Sequence, residues 1–170
     1  MPWNELIVEV FRLDLAAKLF GAVLVGGGIG LEREYKGKPA GLRTNILICV
    51  GSALLMDLSM SVADQYGGDP GRIAAQVVTG IGFLGAGTIL HTRGTITGLT
   101  SAATIWVVAA IGLTIGAGYF IEALGATLTV MAVLVGLGWV ERRFLAFEQN
   151  GVPDENWRTR GRDRRRGDPQ

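Results

Sequence analysis

Asp57 is the residue whose type and position most favour chemistry, because its carboxylate lies inside an otherwise apolar segment. It stands about six residues from the end of that segment, roughly 9 Å at the helical rise of about 1.5 Å per residue. Within a bilayer, an ionised carboxylate at that depth is costly unless it is paired or hydrated. The next apolar segment brings Gln76 and Thr79 to a similar depth, and Arg72 could reach toward the carboxylate. Two interpretations stay open: a polar contact between two helices, or a protonatable or cation-binding site.

A dense cluster of charges occupies residues 32–44, directly after the first apolar segment. Arg33 and Arg43 flank a turn there, and Glu32 lies beside the first of them. These side chains could join two helix ends or face a partner, and the sequence favours neither. Further along, Thr100 or Ser101 could cap a helix, since hydroxyl side chains accept bonds from first-turn amides.

Gly80, Gly82 and Gly85 form a G-x-G-x-x-G pattern, which in a strand-to-helix turn would bind a dinucleotide. Here the pattern lies within an uncharged run, and no acidic residue follows about 20 positions later in a β-α-β unit. We therefore interpret the glycines as helix contacts, because small residues let helices approach closely in lipid. The predicted packing glycines are Gly26, Gly30, Gly80, Gly82, Gly85, Gly112 and Gly116.

Cysteine and histidine are too scarce to indicate a metal centre. Cys49 is the single cysteine and lies in an apolar run, and His91 is the single histidine. The sequence contains no recognisable pairing of a nucleophile with a base. We expect no metal, no cofactor and no catalytic residue, and hence a protein that is not an enzyme.

The elements that must position these residues are membrane helices. Residues 73–140 carry only two formal charges, Arg93 and Glu122, and the mean hydropathy of the chain is +0.36. A soluble domain of this size could not bury several consecutive apolar segments of about 20 residues. We predict an all-α polytopic bundle of about five transmembrane helices with glycine-rich contacts, at 15–31, 45–62, 73–90, 99–120 and 123–140. Lys18 weakens the first span, so four spans remain an alternative.

Lysine and arginine predict the orientation. The loops after the first and third spans and the tail carry 13 of these residues, against 3 on the opposite side. The positive-inside rule then places the tail in the cytoplasm and the amino terminus outside. We expect residues 1–14 to form an external amphipathic segment. Residues 141–170 should be a disordered, arginine-rich cytoplasmic tail that binds anionic lipid, with nucleic acid an unlikely partner.

Four stretches of sequence carry a resemblance to a known family: EREY (32–35), KPAGLRTN (38–45), RIAAQVVTGIGFLGAGTI (72–89) and GLTSAATIW (98–106). They are similar to the MgtC/SapB family of membrane proteins, and the likeness covers roughly residues 15–140. It implies a bacterial inner-membrane protein associated with magnesium homeostasis and virulence, regulatory in role, with the F-type ATP synthase as one proposed partner. The resemblance and the charge patterns together give these candidate functional residues: Glu32, Arg33, Arg43, Asp57, Arg72, Gln76, Thr79 and Thr104.

Two departures from the family limit what the resemblance implies. Many relatives continue into an ACT-like cytoplasmic domain, whereas the residues after 140 here form a short polar stretch, so we expect regulation through that domain to be missing. Relatives also often have arginine at the position of Thr97. A role ascribed to that arginine therefore does not transfer.

Three functions remain open. The first is regulation or scaffolding through a membrane-protein partner. The second is a small oligomeric transporter or channel for a cation or small solute, in which Asp57, Gln76 and Thr79 line a polar path. A membrane enzyme is the least favoured, and a homo-oligomer is compatible with the first two.

Overall fold

The computed structural model of the protein describes residues 13–92 and 95–138. The predicted amphipathic segment, except for its last two residues, and the arginine-rich tail lie outside these ranges. The contacts between helices described below lie within the compact unit Met1–Val130, and Met131–Gln170 forms a second unit.

The described part of the chain contains five α-helices, and the prediction of an all-α helix bundle is confirmed. They are α1 (Leu13–Tyr35), α2 (Leu42–Tyr66), α3 (Gly71–Gly87), α4 (Leu99–Gly116) and α5 (Phe120–Ala132), which continues as a π-helical segment, Val133–Leu137. The first two helices extend beyond their predicted ends, because polar residues at these ends stay helical although they lie outside the apolar segments used for the prediction.

Within residues 13–92 and 95–138, four segments are long and apolar enough to cross a membrane: α1, α2, α4 and Phe120–Leu137. The helix predicted at 73–90 is present as α3, but it has 17 residues. At about 1.5 Å per residue it reaches roughly 25 Å, short of a typical hydrocarbon core of about 30 Å. The structure thus supports a multi-pass membrane protein with four clear spans and one shorter helix.

A two-stranded antiparallel hairpin joins α3 to α4, where the sequence analysis placed a loop. Its strands are β1 (Leu90–Thr92) and β2 (Thr95–Thr97), with Leu90 opposite Thr97. Gly98 follows at φ +90°, and a Cβ there would collide with the carbonyl oxygen of Thr88. Only glycine fits this close return of the chain, which fixes where α4 begins.

The core of the bundle surrounds α4, which contacts α1, α2 and α3. Half of α4 is buried, more than of α1 or α2. Ile105 and Ala109 on this helix pack against Ile81 of α3. Small and β-branched side chains fill the core because the helices lie too close for bulkier ones.

Two rows of glycines, one on α1 and one on α4, allow these helices to approach α2 closely. On α1, a Cβ at Gly26 would lie 2.8 Å from the Asn45 carbonyl oxygen, and one at Gly30 would lie 2.8 Å from the Leu42 Cα. On α4, a Cβ at Gly112 would collide with the backbone of α2, as would one at Gly116. Both G-x-x-x-G rows therefore face the same helix.

The expected packing role of Gly80 and Gly82 is wrong for the chain by itself. A Cβ at either would have no atom within 4 Å, and one at Gly85 would make an ordinary 3.5 Å contact with Ala102. The physical reason is the contact edge of α3, which runs through Val77, Ile81 and Gly85 at intervals of four residues. Gly80 and Gly82 lie off that edge.

Candidate functional site

The carboxylate of Asp57 is held by a lysine of the first helix. Lys18 Nζ lies 2.9 Å from Asp57 Oδ1 and 2.7 Å from Oδ2 of Asp14, one turn earlier on α1. The side chains of Lys18 and Asp57 are 12% and 5% exposed, whereas that of Asp14 is 74% exposed. A partly buried ammonium thus bridges a buried and an exposed carboxylate.

The packing of α1 on α2 explains why these two residues meet. The glycine contacts pair Gly30 with Asn45 and Gly26 with Cys49, as expected for antiparallel helices. Eight residues earlier than Gly26 on α1 is Lys18, and eight residues later than Cys49 on α2 is Asp57. Residues at multiples of four share one helix face, so the glycine row and the ion pair belong to one interface.

That regular spacing is visible in the sequence and could have indicated the pairing. Every fourth residue forms the buried row on α2, namely Asn45, Cys49, Ala53 and Asp57. The facing row on α1 contains Lys18, Ala22, Gly26 and Gly30. Lys18 is spaced by multiples of four from the G-x-x-x-G glycines, and Asp57 is spaced in the same way from the buried residues of α2. These two spacings together predict that Lys18 and Asp57 face each other.

The residues that were expected near Asp57 lie elsewhere. Arg72, Gln76 and Thr79 are exposed on α3, and the hydroxyl of Thr79 donates to the carbonyl of Ala75 at 3.0 Å within the same helix. The contact edge of α3 faces α4 and turns these side chains outward. Within the single chain, Asp57 therefore does not share a path with Gln76 and Thr79, and the path predicted for an oligomer stays a prediction.

The opposite end of the bundle holds a second polar group, the Arg33 cluster, defined as Glu32, Arg33 and Lys36 of α1 with Ser101 of α4. Arg33 is 3% exposed, its Nη1 lies 3.6 Å from Glu32 Oε2, and its Nη2 lies 3.5 Å from Ser101 Oγ. Lys36 Nζ lies 2.6 Å from Glu32 Oε1. Although these charges are close, the buried Glu32 oxygens and Arg33 Nε make no well-directed hydrogen bond among the described residues.

Other residues join the ends of α1 and α2. Oε2 of Glu34 accepts the backbone N–H of Leu42 at 2.7 Å, which caps the start of α2. The Asn45 side chain donates to the carbonyls of Ala40 and Gly41 at 2.6 and 2.9 Å. Arg43 is exposed. Of the two arginines that could have clipped the helices, one is buried against α4 and the other faces outward.

Thr104 and the potential metal ligands add little to either site. Thr104 is 5% exposed and its hydroxyl donates to the carbonyl of Thr100 at 2.8 Å. Within residues 13–92 and 95–138, no three His, Cys, Asp or Glu side chains come together as metal ligands. The chemistry of the described bundle thus lies in one buried ion pair and one buried cationic cluster.

Comparison with known proteins finds a matching family and several similar proteins. The model of the MgtC family matches residues 19–143. A protein of Escherichia coli K12 named "Putative magnesium transporter YhiD" is 52% identical over 128 residues, which cover 72% of this chain and 59% of that protein. SapB of Bacillus subtilis is 42% identical over 137 residues, covering 76% and 59%. MgtC of Brucella abortus is 48% identical over 118 residues, covering 69% and 49%.

These matches involve only part of each relative, because the chain spans about half to three fifths of their length. No solved structure matches the chain.

Proposed function

The chain belongs to the MgtC family, and from that premise we propose that it regulates magnesium homeostasis or membrane energetics through a membrane-protein partner. It is a multi-pass membrane protein whose relatives include one named for magnesium transport. We place it in the bacterial inner membrane and propose no enzymatic activity and no cofactor.

One observation carries this proposal: within the described single chain, Asp57 does not lie on a common path with Gln76 and Thr79. Asp57 is paired with Lys18 between α1 and α2, while Gln76 and Thr79 face outward from α3. A conduit needs its polar groups to line a common cavity. A bundle with one neutralised acid and an outward-facing polar helix is better suited to contact another protein.

The outward face of α3 is the surface that we assign to the partner. Phe83 is 82% exposed, Gln76 is exposed, and Gly80 has open space beside it. An amide in hydrocarbon lacks hydrogen-bond partners, so a neighbouring membrane helix would stabilise it. Glycine beside it would let that helix approach closely. The resemblance suggests the F-type ATP synthase as the partner.

The charge asymmetry supports the orientation. Among the described residues, the end of the bundle with the Arg33 cluster bears four of the six lysines and arginines, and the Lys18–Asp57 pair lies toward the other end. We propose that the α1–α2 connection faces the cytoplasm. The ion pair then lies near the external surface.

ATP-driven proton pumping in inverted membrane vesicles tests the regulatory proposal. We expect the full-length protein to lower the pumping rate, and Phe83→Ala or Gln76→Leu to relieve that effect. Phe20→Ala is the matched control, because Phe20 is also exposed, at 64%, but on α1. Pumping that is unaffected by the wild-type protein would contradict this choice of partner.

A cation transporter is the second candidate. Two observations favour it: the carboxylate of Asp57 lies inside a membrane helix, and a 52% identical relative bears a transporter name. Since Gln76 and Thr79 face outward, such a path would have to form between copies of the chain. Magnesium uptake into vesicles distinguishes this candidate from the first.

A further inference from the structure

Arg33 is a buried cation with too few acceptors. Its side chain is 4% exposed, yet the distances to Glu32 and Ser101 are 3.6 and 3.5 Å. Strong guanidinium hydrogen bonds are shorter, near 2.7 to 2.9 Å. Nε, which is also buried, donates to no acceptor in the described part of the chain. Burying an ionised group without good partners is costly, so this arrangement calls for a further acceptor.

Glu32 cannot supply what is missing. It directly precedes Arg33 on α1, and consecutive helical residues point in different directions. Lys36, four residues later, lies on the same face as Glu32 and pairs with its Oε1 at 2.6 Å. The carboxylate is therefore drawn toward Lys36 and away from a two-point contact with Arg33.

The amino terminus of α4 is a second positive feature, and it lies beside the Arg33 guanidinium. Ser101, whose Oγ lies 3.5 Å from Arg33 Nη2, belongs to the first turn of the 18-residue helix α4. The first ladder bond there runs from Ala102 N–H to the Gly98 carbonyl, and Gly98 provides no side-chain cap. The first-turn amides of Leu99, Thr100 and Ser101 thus lie at the positive end of the helix dipole.

A guanidinium beside a helix amino terminus brings like charges together, and an anion between them would satisfy both. We propose that this end of the bundle binds a phosphate group, held by the Arg33 guanidinium and the first-turn amides of α4. Phosphate suits both elements because it accepts two parallel bonds from arginine and further bonds from helix amides. The Ser101 hydroxyl can donate to the same anion.

The surroundings of the site favour an anion and leave it approachable. Residues 32–44 carry four basic and two acidic side chains. Leu99 is 58% exposed and Thr100 is exposed, so a ligand can reach the start of α4 from the surface. The phosphate could belong to free inorganic phosphate or to a lipid headgroup, since the site lies at one end of membrane helices.

Hydrogen exchange on the wild-type, full-length protein in neutral detergent tests the site without any substitution. The first arm adds inorganic phosphate against chloride at equal ionic strength. The second adds phosphatidylglycerol against diacylglycerol, which lacks the phosphate. We expect slower exchange of the amides at residues 99–101 in at least one arm. Slower exchange in the first arm alone identifies free phosphate as the ligand, and slower exchange in the second arm alone identifies a lipid headgroup. Slower exchange in both arms shows that the phosphate group itself is recognised. Unchanged exchange in both arms overturns the proposal.

Arg33→Lys provides the variant test, because lysine keeps the charge but loses the two-point fork. We expect binding of the effective probe to weaken roughly tenfold or more. Arg43→Lys is the matched control, since Arg43 is in the same charged segment but exposed. Equal weakening in both variants would show unspecific attraction and overturn the proposal. If Arg33→Lys does not fold, the exchange measurement on the wild-type protein still decides.

Discussion

The ammonium group of Lys18 on α1 lies 2.9 Å from the carboxylate of Asp57 on α2, in line with the glycine contacts between the two helices. This relationship joins the packing of the bundle to the buried carboxylate of Asp57. Close approach at Gly26 and Gly30 sets the spacing of the helices, and the same spacing brings the ion pair together. Asp57 therefore has a structural role whatever else it does.

Asp57→Asn should destabilise the bundle. The substitution removes the buried carboxylate that pairs with Lys18 and leaves its ammonium with only the exposed Asp14, so we expect a loss of up to about 3 kcal/mol in stability. Thermal unfolding in detergent measures the effect. In the double variant Lys18→Met with Asp57→Leu, much of that stability should return, because neither charge is left buried. A double variant that is less stable than Asp57→Asn would contradict this account of the pair.

The glycines of α3 and α4 should respond differently to the same change. In Gly112→Ala the new Cβ meets the α2 backbone, so we expect a loss of about 1–3 kcal/mol in stability. In Gly82→Ala the Cβ enters open space, and the higher helix propensity of alanine should leave the melting temperature unchanged or raised. Equal losses in both variants, measured in the same detergent, would mean that α3 is covered by another chain or packs differently.

The helix bounds could be predicted within a few residues from hydropathy alone, because lipid requires long apolar runs. The partner of Asp57 could not, since depth alone suggested Gln76 and Thr79 on the next helix. Depth does not say which face of a helix points inward. The four-residue row through Lys18, Gly26 and Gly30 contains that information, but only when it is matched to the row on α2.

The glycines of α3 illustrate the same difficulty. Gly80 and Gly82 belong to a motif that looks like a packing surface, yet the buried edge runs through Val77, Ile81 and Gly85. Several faces of this helix contain small residues, so the sequence did not distinguish them. Burial of Arg33 was equally unforeseen, because basic residues after a span usually face water.

Glu34→Ala should weaken the start of α2. Its carboxylate accepts the Leu42 N–H at 2.7 Å, and removal of a helix cap costs about 0.5–2 kcal/mol. Glu34→Gln keeps an oxygen acceptor and should retain most of the stability. Chemical unfolding of the two variants beside the wild type checks this. If the glutamine and alanine variants are equally destabilised, the carboxylate acts through its charge and not as a cap.

Reporter fusions should place Lys38 and Asp69 on opposite sides of the membrane. Lys38 follows α1 and Asp69 follows α2, so one span separates them. The surplus of lysine and arginine predicts that Lys38 is cytoplasmic and Asp69 external. A phosphatase fusion, active outside, and a fluorescent fusion, active inside, give the assignment. Detection of both positions on the same side would contradict the order of the spans.

Magnesium uptake by liposomes that contain only the purified full-length protein tests most directly whether the protein acts through a partner. A magnesium-sensitive dye inside the vesicles reports entry, and empty liposomes set the background. A regulator predicts no entry above that background for the wild type. Entry above background that is abolished by Asp57→Asn and retained by Arg43→Gln would contradict the account and establish a transporter.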